Sequence, residues 1–350
     1  MRDQERLLRL EYLRGAASLY VFFHHFVRLN LPELPGVARF FVFGQAAVLL
    51  FFLLSGFVVH YATVGQGGEP TFRGYFTRRF RRIYPTYFLA LVASYAAACV
   101  LEGRLVDPLP RELFVNLALW QDRARAGNWA TPYMGNSPLW SLSYEWWFYM
   151  AYFAVLRLTR NAKRATALGL VFAIALLGTL TDIRWPNPVS HVASYFVLWW
   201  LGVEMAREYI GHRDVTLRRQ APALLAAASI TAIWVMVAVQ SGVSGAGWYE
   251  HPGLTTRHFL TTMGMVAIGW GWKAARFVAF DRLLKWFGVF APLSYALYVL
   301  HLPMLLIAVR LGASGYGTAD LVWMGPLIFL LCWVVEQPLQ RRINRWLPSP

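Results

Sequence analysis

The sequence is poor in charge. Only 15% of its 350 residues are Asp, Glu, Lys or Arg, where a soluble domain carries roughly 25%. Acids are the scarcer sign, 18 against 33 Lys and Arg. So little charge excludes an ordinary solvated globule of this length. Cysteine is nearly missing: Cys99 and Cys332 both fall inside apolar stretches. They read as small apolar residues, with no disulfide framework and no metal-ligand spacing, and no metal is expected. A cleavable leader is also lacking, because the first apolar run carries Arg14, His24 and His25 and no small-residue cleavage site. There is no internal repeat, no low-complexity segment and no stretch that reads as an appended soluble domain. One transmembrane domain over 1–350 is expected.

What the chain has is apolar sequence in long runs. Hydrophobic residues make up 57%, with 17 Tyr and 16 Trp, rings that favour membrane–water interfaces. A membrane span needs ~20 mostly apolar residues. Ten runs qualify: 12–30, 42–62, 83–101, 139–158, 166–181, 189–206, 221–240, 256–274, 292–311 and 319–339. The fifth and sixth are short, and read as tilted neighbours or a re-entrant pair; the eighth is rich in Gly. Pro85 suits the start of a helix at the third run. The 102–138 loop is placed outside the membrane, with a short helix near 111–120 and a turn-rich stretch at 127–138. The expected fold is an all-α polytopic integral membrane protein of about ten transmembrane helices.

The net charge of +15 invites a nucleic-acid reading, but the placement of the charge opposes it. Cationic residues gather before odd spans and after even ones. Arg2, Arg6 and Arg9 come first, then Arg73 to Arg82, Arg157 to Arg164, Arg207 to Arg219, Lys273 to Lys285 and Arg341 to Arg345. These groups hold 23 of the 33 Lys and Arg. This is the positive-inside bias, and it places both termini in the cytoplasm.

Ionisable residues inside a span are costly and usually functional. Arg14 and His25 are eleven residues apart, which returns to nearly the same helix face ~16 Å further on. Arg14 would sit near the cytoplasmic interface and His25 near mid-membrane. The bland alternative is a snorkelling Arg14 and a His25 bonded to backbone. The second run holds small residues at Gly44, Ala47, Ser55 and Gly56 that allow close helix approach. The basic run Arg78, Arg79, Arg81, Arg82 is either a topology anchor or a phosphate site, since the Arg fork matches phosphate geometry. In the fourth run Ser141 and Glu145 share a face, with Glu145 about 9 Å from the outer surface. In the ninth, Ser294, Tyr298 and His301 share a face. Arg14 and the Arg78–Arg82 run thus mark a cytoplasmic level, and His25, Ser55, Glu145 and His301 converge on a middle level. A His beside a carboxylate is a general acid–base arrangement.

Together these segments resemble the membrane acyltransferase family 3, O-acyltransferases that modify cell-surface glycans, antibiotics and related molecules. The matches are Arg14-x10-His25, Phe51-Phe52-x-x-Ser55-Gly56-Phe57, Arg79-x-x-Arg82-Ile83-x-Pro85, Ser141-Leu142-x-x-Glu145-x-x-Phe148-Tyr149, and Ser294-Tyr295-x-x-Tyr298-x-x-His301-x-Pro303. Ala46 and Leu50 depart mildly from the family's small or β-branched residues there. The resemblance implies acyl-CoA, often acetyl-CoA, as a cytoplasmic donor. It implies a carbohydrate acceptor, a surface polysaccharide or its lipid-linked precursor, and a site in the bacterial inner membrane. His25 would be the general base or would itself carry the acyl group, and Glu145 would orient or charge-balance it. Arg14, Arg78, Arg79 and Arg82 would hold the coenzyme phosphates, with Ser55, Ser141, Tyr298 and His301 in support. The lipid bilayer is the expected partner, together with the acceptor and acyl-CoA; no nucleic acid is, and a homo-oligomer stays open. A proton-coupled transporter or flippase is the competing class, but it predicts inverted repeats with broken helices, and no such symmetry is visible. A non-catalytic scaffold leaves the mid-membrane polar cluster without a purpose.

Overall fold

The computed structural model describes residues 2–31, 34–65, 70–123, 127–311 and 319–347; the side chains of 2–6 and 319–322, which include Arg2 and Arg6, lie outside the description. Every described regular element is helical. Ten long helices carry the fold: α1 (Arg2–Asn30), α2 (Gly44–Val64), α3 (Phe72–Glu102), α4 (Trp140–Leu158), α5 (Arg164–Arg184), α6 (Pro188–His212), α7 (Leu217–Gln240), α8 (Gly253–Ala274), α9 (Ser294–Leu311) and α10 (Ala319–Val334). Each apolar run falls on one of them. Five helical stretches are long and apolar enough to cross a membrane by length and composition: 35–64, 72–102, 164–184, 217–240 and 280–311. Polar side chains or Trp and Tyr lower the hydropathy of three others, Arg14, His24 and His25 in α1, Glu145 among aromatics in α4, and His191, Glu204 and Glu208 in α6, while α10 is only 16 residues long.

The polarity is inverted relative to a soluble globule. Leu225, Val239 and Ile268 are exposed on the flanks, while Asp182, His191, Glu204 and His301 are fully buried. Only a lipid surround makes exposed apolar flanks favourable on this scale, and only interior partners make the buried charges tolerable. The chain is a multi-pass helical membrane protein.

At the centre lies α6, whose Tyr195, Phe196, Trp199 and Trp200 are almost wholly buried. It starts sharply because the Asn187 side chain accepts from the Val189 and Ser190 amides, Ser190 reciprocates on the Asn187 amide, and Pro188 occupies the first turn. At 21 and 25 residues, α5 and α6 are full-length neighbouring helices joined by 185–187, longer than the short apolar runs that leave tilted neighbours and a re-entrant pair as alternatives. Their polar ends, Arg164, Asp182 and Glu208, had truncated the hydropathy pattern. Gly56 of α2 serves packing. A methyl at Gly56 would stand 2.2 Å from the Trp199 carbonyl oxygen, and one at Gly202 would stand 2.1 Å from the Leu53 carbonyl oxygen. The backbones of α2 and α6 therefore touch, as small residues permit.

Pro85 does not start a helix. α3 begins at Phe72, where the Thr71 hydroxyl accepts from the Gly74 amide at 3.2 Å, so the Arg78–Arg82 run is inside the helix. Proline has no N–H for the carbonyl four residues back. Here that is the Arg81 carbonyl, which takes its hydrogen bond from Gln340 Nε2 at 2.9 Å. The same device recurs at Pro303 in α9: the orphaned Val299 carbonyl accepts from Asn136 Nδ2 at 3.0 Å.

The loop after α3 is not a solvated appendage. A helix, Pro110–Leu117, and two short 3₁₀ turns lead back into the bundle, where Asn116, Gln121, Asp122 and Asn136 are buried. Non-helical backbone at such depth must be enclosed by protein. Asn116 and Gln121 accordingly bond loop carbonyls, and Tyr84 and Tyr87 donate to the Leu117 and Asn116 carbonyls at 2.7 and 2.8 Å. The loop's descent means that α4 begins below its neighbours' ends. Trp140, its first residue, stacks on His258 at 5.6 Å and abuts Phe52, eight residues into α2. Glu145, five residues further on, accordingly meets Ser55, eleven residues past the start of α2.

Candidate active site

One cavity, of about 140 Å³, is walled by α1, α2, α3, α4 and α9. Arg14, Arg79 and Arg82 line it together with Ser55, Ser141, Glu145, Tyr149 and Tyr298. Arg79 and Arg82 reach it because they are three apart on one face of α3. Arg78 is not among the lining residues.

Each arginine is held differently. Arg14 donates to Glu11 at 3.0 Å, to the Ala291 carbonyl at 3.1 Å and to Ser294 Oγ at 3.2 Å. Arg82 pairs with Glu336 at 2.6 Å and lies over the Tyr295 ring, 5.2 Å from its centroid. Glu336, almost fully buried, accepts from the Ala296 amide at 3.0 Å with its other oxygen. That amide is in the first turn of α9, so the carboxylate also meets the helix's positive end. Arg79 has no acid partner among the described residues. Its guanidinium lies between the Tyr75 and Tyr149 rings, 5.5 and 5.4 Å from their centroids, and its buried Nε has no hydrogen-bond partner. A cation so placed is held by ring faces and is left with its charge directed at the cavity.

Glu145 faces the same space. It accepts from Ser55 Oγ at 2.9 Å and from the Tyr149 hydroxyl, and Ser55 Oγ and the Tyr149 hydroxyl are 3.2 Å apart. Ser141 and Tyr298 form a second pair: Tyr298 donates to the Pro138 carbonyl at 2.8 Å, so at 2.8 Å from Ser141 Oγ it is the acceptor.

His25 lies elsewhere. It lines a smaller cavity, about 30 Å³, with His24, Gln45, Arg123 and Trp140. Val48 and Tyr298 belong to the walls of both cavities. His25 Nδ1 is 3.1 Å from His301 Nε2 and 3.1 Å from the Val21 carbonyl oxygen. His301 Nδ1 donates to the Leu297 carbonyl at 2.7 Å. In neutral His301 the other nitrogen, Nε2, is then an acceptor, so His25 Nδ1 is the donor and His25 Nε2 carries the lone pair. The expected convergence on one mid-membrane level thus resolves into two clusters, Ser55–Glu145–Tyr149 and His25–His301. Glu145 does not hydrogen-bond His25; His301 holds that place. His24 turns away, bonded to the Phe41 carbonyl, with its ring against Gly44, where a methyl would stand 2.7 Å from it.

Sequence reasoning missed Glu336, Tyr149 as a partner of Glu145, and Arg79's two-ring seat. The available signal for Glu336 was a lone acid near the end of a strongly apolar run.

The bundle thus holds a cationic cavity on one side and a paired histidine beyond its wall. The chain belongs to acyltransferase family 3: the model described as an acyltransferase domain matches residues 7–343. It is similar to the acyltransferase MdmB of Streptomyces mycarofaciens, 34% identical over 45% of this chain and 41% of that one. Nodulation protein 10 of Rhizobium leguminosarum bv. viciae is 26% identical over 77% of this chain and 85% of its own length. The exopolysaccharide production protein ExoZ of Rhizobium meliloti is 25% identical over 86% and 91%. No solved structure matches the chain. The chain is a membrane protein of that family.

Proposed function

We propose that this protein moves an acyl group, in the first instance acetyl, from cytoplasmic acyl-CoA to a carbohydrate hydroxyl. The acceptor is a surface polysaccharide or its lipid-linked precursor, and the protein works in the bacterial inner membrane with ten spans and both termini in the cytoplasm. The observation that carries the reading is Arg79: a half-buried guanidinium with no acid partner among the described residues, beside Arg14 and Arg82, in a cavity. Such a site calls for an anion, and the phosphates of coenzyme A suit it. The likeness to an exopolysaccharide production protein supports the acceptor class.

In the reaction, the nucleotide stays with the arginines and the pantetheine arm runs along α1 toward Val48 and Tyr298. His25 Nε2 takes the proton of the acceptor hydroxyl as its oxygen attacks the thioester carbonyl. The new C–O bond forms, the C–S bond breaks, and the departing thiolate takes the proton from the imidazolium. His301 orients His25 by accepting from its Nδ1, and Ser55 and Tyr149 keep Glu145 in place beside the arginines.

Two measurements test this. Purified protein in nanodiscs should release free coenzyme A thiol from acetyl-CoA when acceptor glycan is supplied, and surface glycans from producing cells should gain an acyl mass that is missing without the protein. Absence of both would end the proposal.

A further inference from the structure

A second buried polar cluster sits at the opposite, outer end of the bundle and takes no part in that chemistry. Asp182 is in the last turn of α5, His191 is in the first turn of α6, and His251 lies just before α8. One ligand atom from each lies within 4.8 Å of the other two. Asp182 and His191 are fully buried, and His251 is half-buried.

Two features ask for a cation. Asp182 Oδ1 is 3.3 Å from the Ser190 hydroxyl and 2.8 Å from His191 Nε2, but its Oδ2 is buried with no hydrogen-bond partner among the described residues. A buried, unpaired carboxylate oxygen is costly and points to a missing ion or water. The other feature is the far side of His191. Its Nδ1 is 3.1 Å from Asp122 Oδ2, which also accepts from the Tyr144 hydroxyl at 2.6 Å. A carboxylate on one imidazole nitrogen holds the N–H there and turns the other lone pair outward, as it does behind metal-bound histidines. That lone pair then meets an Asp182 oxygen, an unfavourable approach unless a positive charge comes between.

We propose that Asp182, His191 and His251 bind a divalent transition-metal ion through one carboxylate oxygen and two imidazole nitrogens, with Asp122 as the outer carboxylate on His191. This donor set suits Zn²⁺, Co²⁺, Fe²⁺ or Mn²⁺ rather than Mg²⁺ or Ca²⁺. Bonds of ~2.1 Å put tetrahedral ligand atoms ~3.4 Å apart, between the 2.8 Å of the Asp182–His191 pair and the 4.8 Å that bounds the group. Side-chain adjustment is enough to load it. The ion would fasten the ends of α5, α6 and α8 to the descending loop. That loop carries Arg123, which lines the His25 cavity, so the ion holds the outer roof of the acceptor side.

The test uses the full chain purified without a histidine tag. Elemental analysis should find one divalent transition-metal ion per chain. Chelation should lower the thermal unfolding temperature, and adding Zn²⁺ should restore it. Asp182→Asn and His251→Ala should lose the ion, and Asp122→Asn should weaken binding ~10–100-fold. If a variant fails to fold, Co²⁺ added to the chelated wild-type chain should give the visible bands of a His-ligated ion. A wild-type chain that carries no metal and takes up neither Zn²⁺, Co²⁺ nor Mn²⁺ overturns the proposal, and makes His191 an imidazolium between two carboxylates. A stoichiometric ion retained by both Asp182→Asn and His251→Ala overturns it equally.

Discussion

Nε2 of the buried His301 stands 3.1 Å from Nδ1 of His25, and this contact decides which nitrogen of His25 carries the lone pair. His301 is itself fixed by its bond to the Leu297 carbonyl, so the pair is oriented from α9 rather than by a carboxylate.

His25→Ala should lower transfer at least ~100-fold, the usual worth of a positioned general base, with insertion and yield near normal. His301→Ala should lower kcat less and leave the KM for acyl-CoA almost unchanged. His301→Gln should recover part of the loss, because its amide oxygen can accept from His25 Nδ1. Steady-state kinetics on the three variants decide this; a wild-type kcat in His301→Ala would remove its positioning role.

Arg79→Ala should raise the apparent KM for acyl-CoA far more than that for the acceptor. The effect should shrink as salt rises, since Coulombic attraction is screened. Arg79→Lys should rescue only in part, keeping the charge but losing the planar group that stacks on Tyr75 and Tyr149. Calorimetry showing normal acyl-CoA binding by Arg79→Ala would move the donor site elsewhere.

Arg82→Ala should cost stability as well as affinity, because it strands Glu336, whose side chain is only 2% exposed. Breaking a fully buried pair costs ~3–5 kcal/mol; with Arg82 37% exposed, about 1–3 kcal/mol is expected. Adding Glu336→Gln should return much of the stability and none of the affinity. Thermal unfolding in detergent reads the first, acyl-CoA titration the second.

Gln340→Leu should destabilise by ~1 kcal/mol, because it leaves the Arg81 carbonyl without its donor. In a Pro85→Ala background the helix supplies that hydrogen bond itself, so the cost of Gln340→Leu should largely vanish. A double-mutant cycle with no coupling would show that Gln340 acts otherwise.

Reporters fused at Asn161, at His212 and after the last helix should read cytoplasmic, and one at Gly127 should read external. A cytoplasmic signal at Gly127 would overturn the orientation drawn from the Lys and Arg bias.

The sequence by itself determined the helices and the cast of the site. Apolar runs of spanning length admit little but helix in lipid, since every backbone group must be satisfied within its own segment. Polar residues inside those runs are too costly to be incidental, which is why Arg14, His25, Glu145 and Arg82 stood out without coordinates. Partnership was decided only by the tertiary structure. Helical periodicity places a residue on a face but is silent about which helix that face meets, so Glu145 was assigned to His25, although it bonds Ser55 and Tyr149. The level of Glu145 within the bundle was hidden for a related reason: the 102–138 loop folds inward, and Glu145 meets Ser55 well inside α2. Long-range contacts were equally hidden. Glu336 reaches Arg82 across 254 residues, and Asp122, Asp182, His191 and His251 meet from separate segments with no metal-ligand spacing. Such meetings depend on how whole helices pack on one another, as α2 and α6 do at Gly56 and Gly202, which no local pattern encodes.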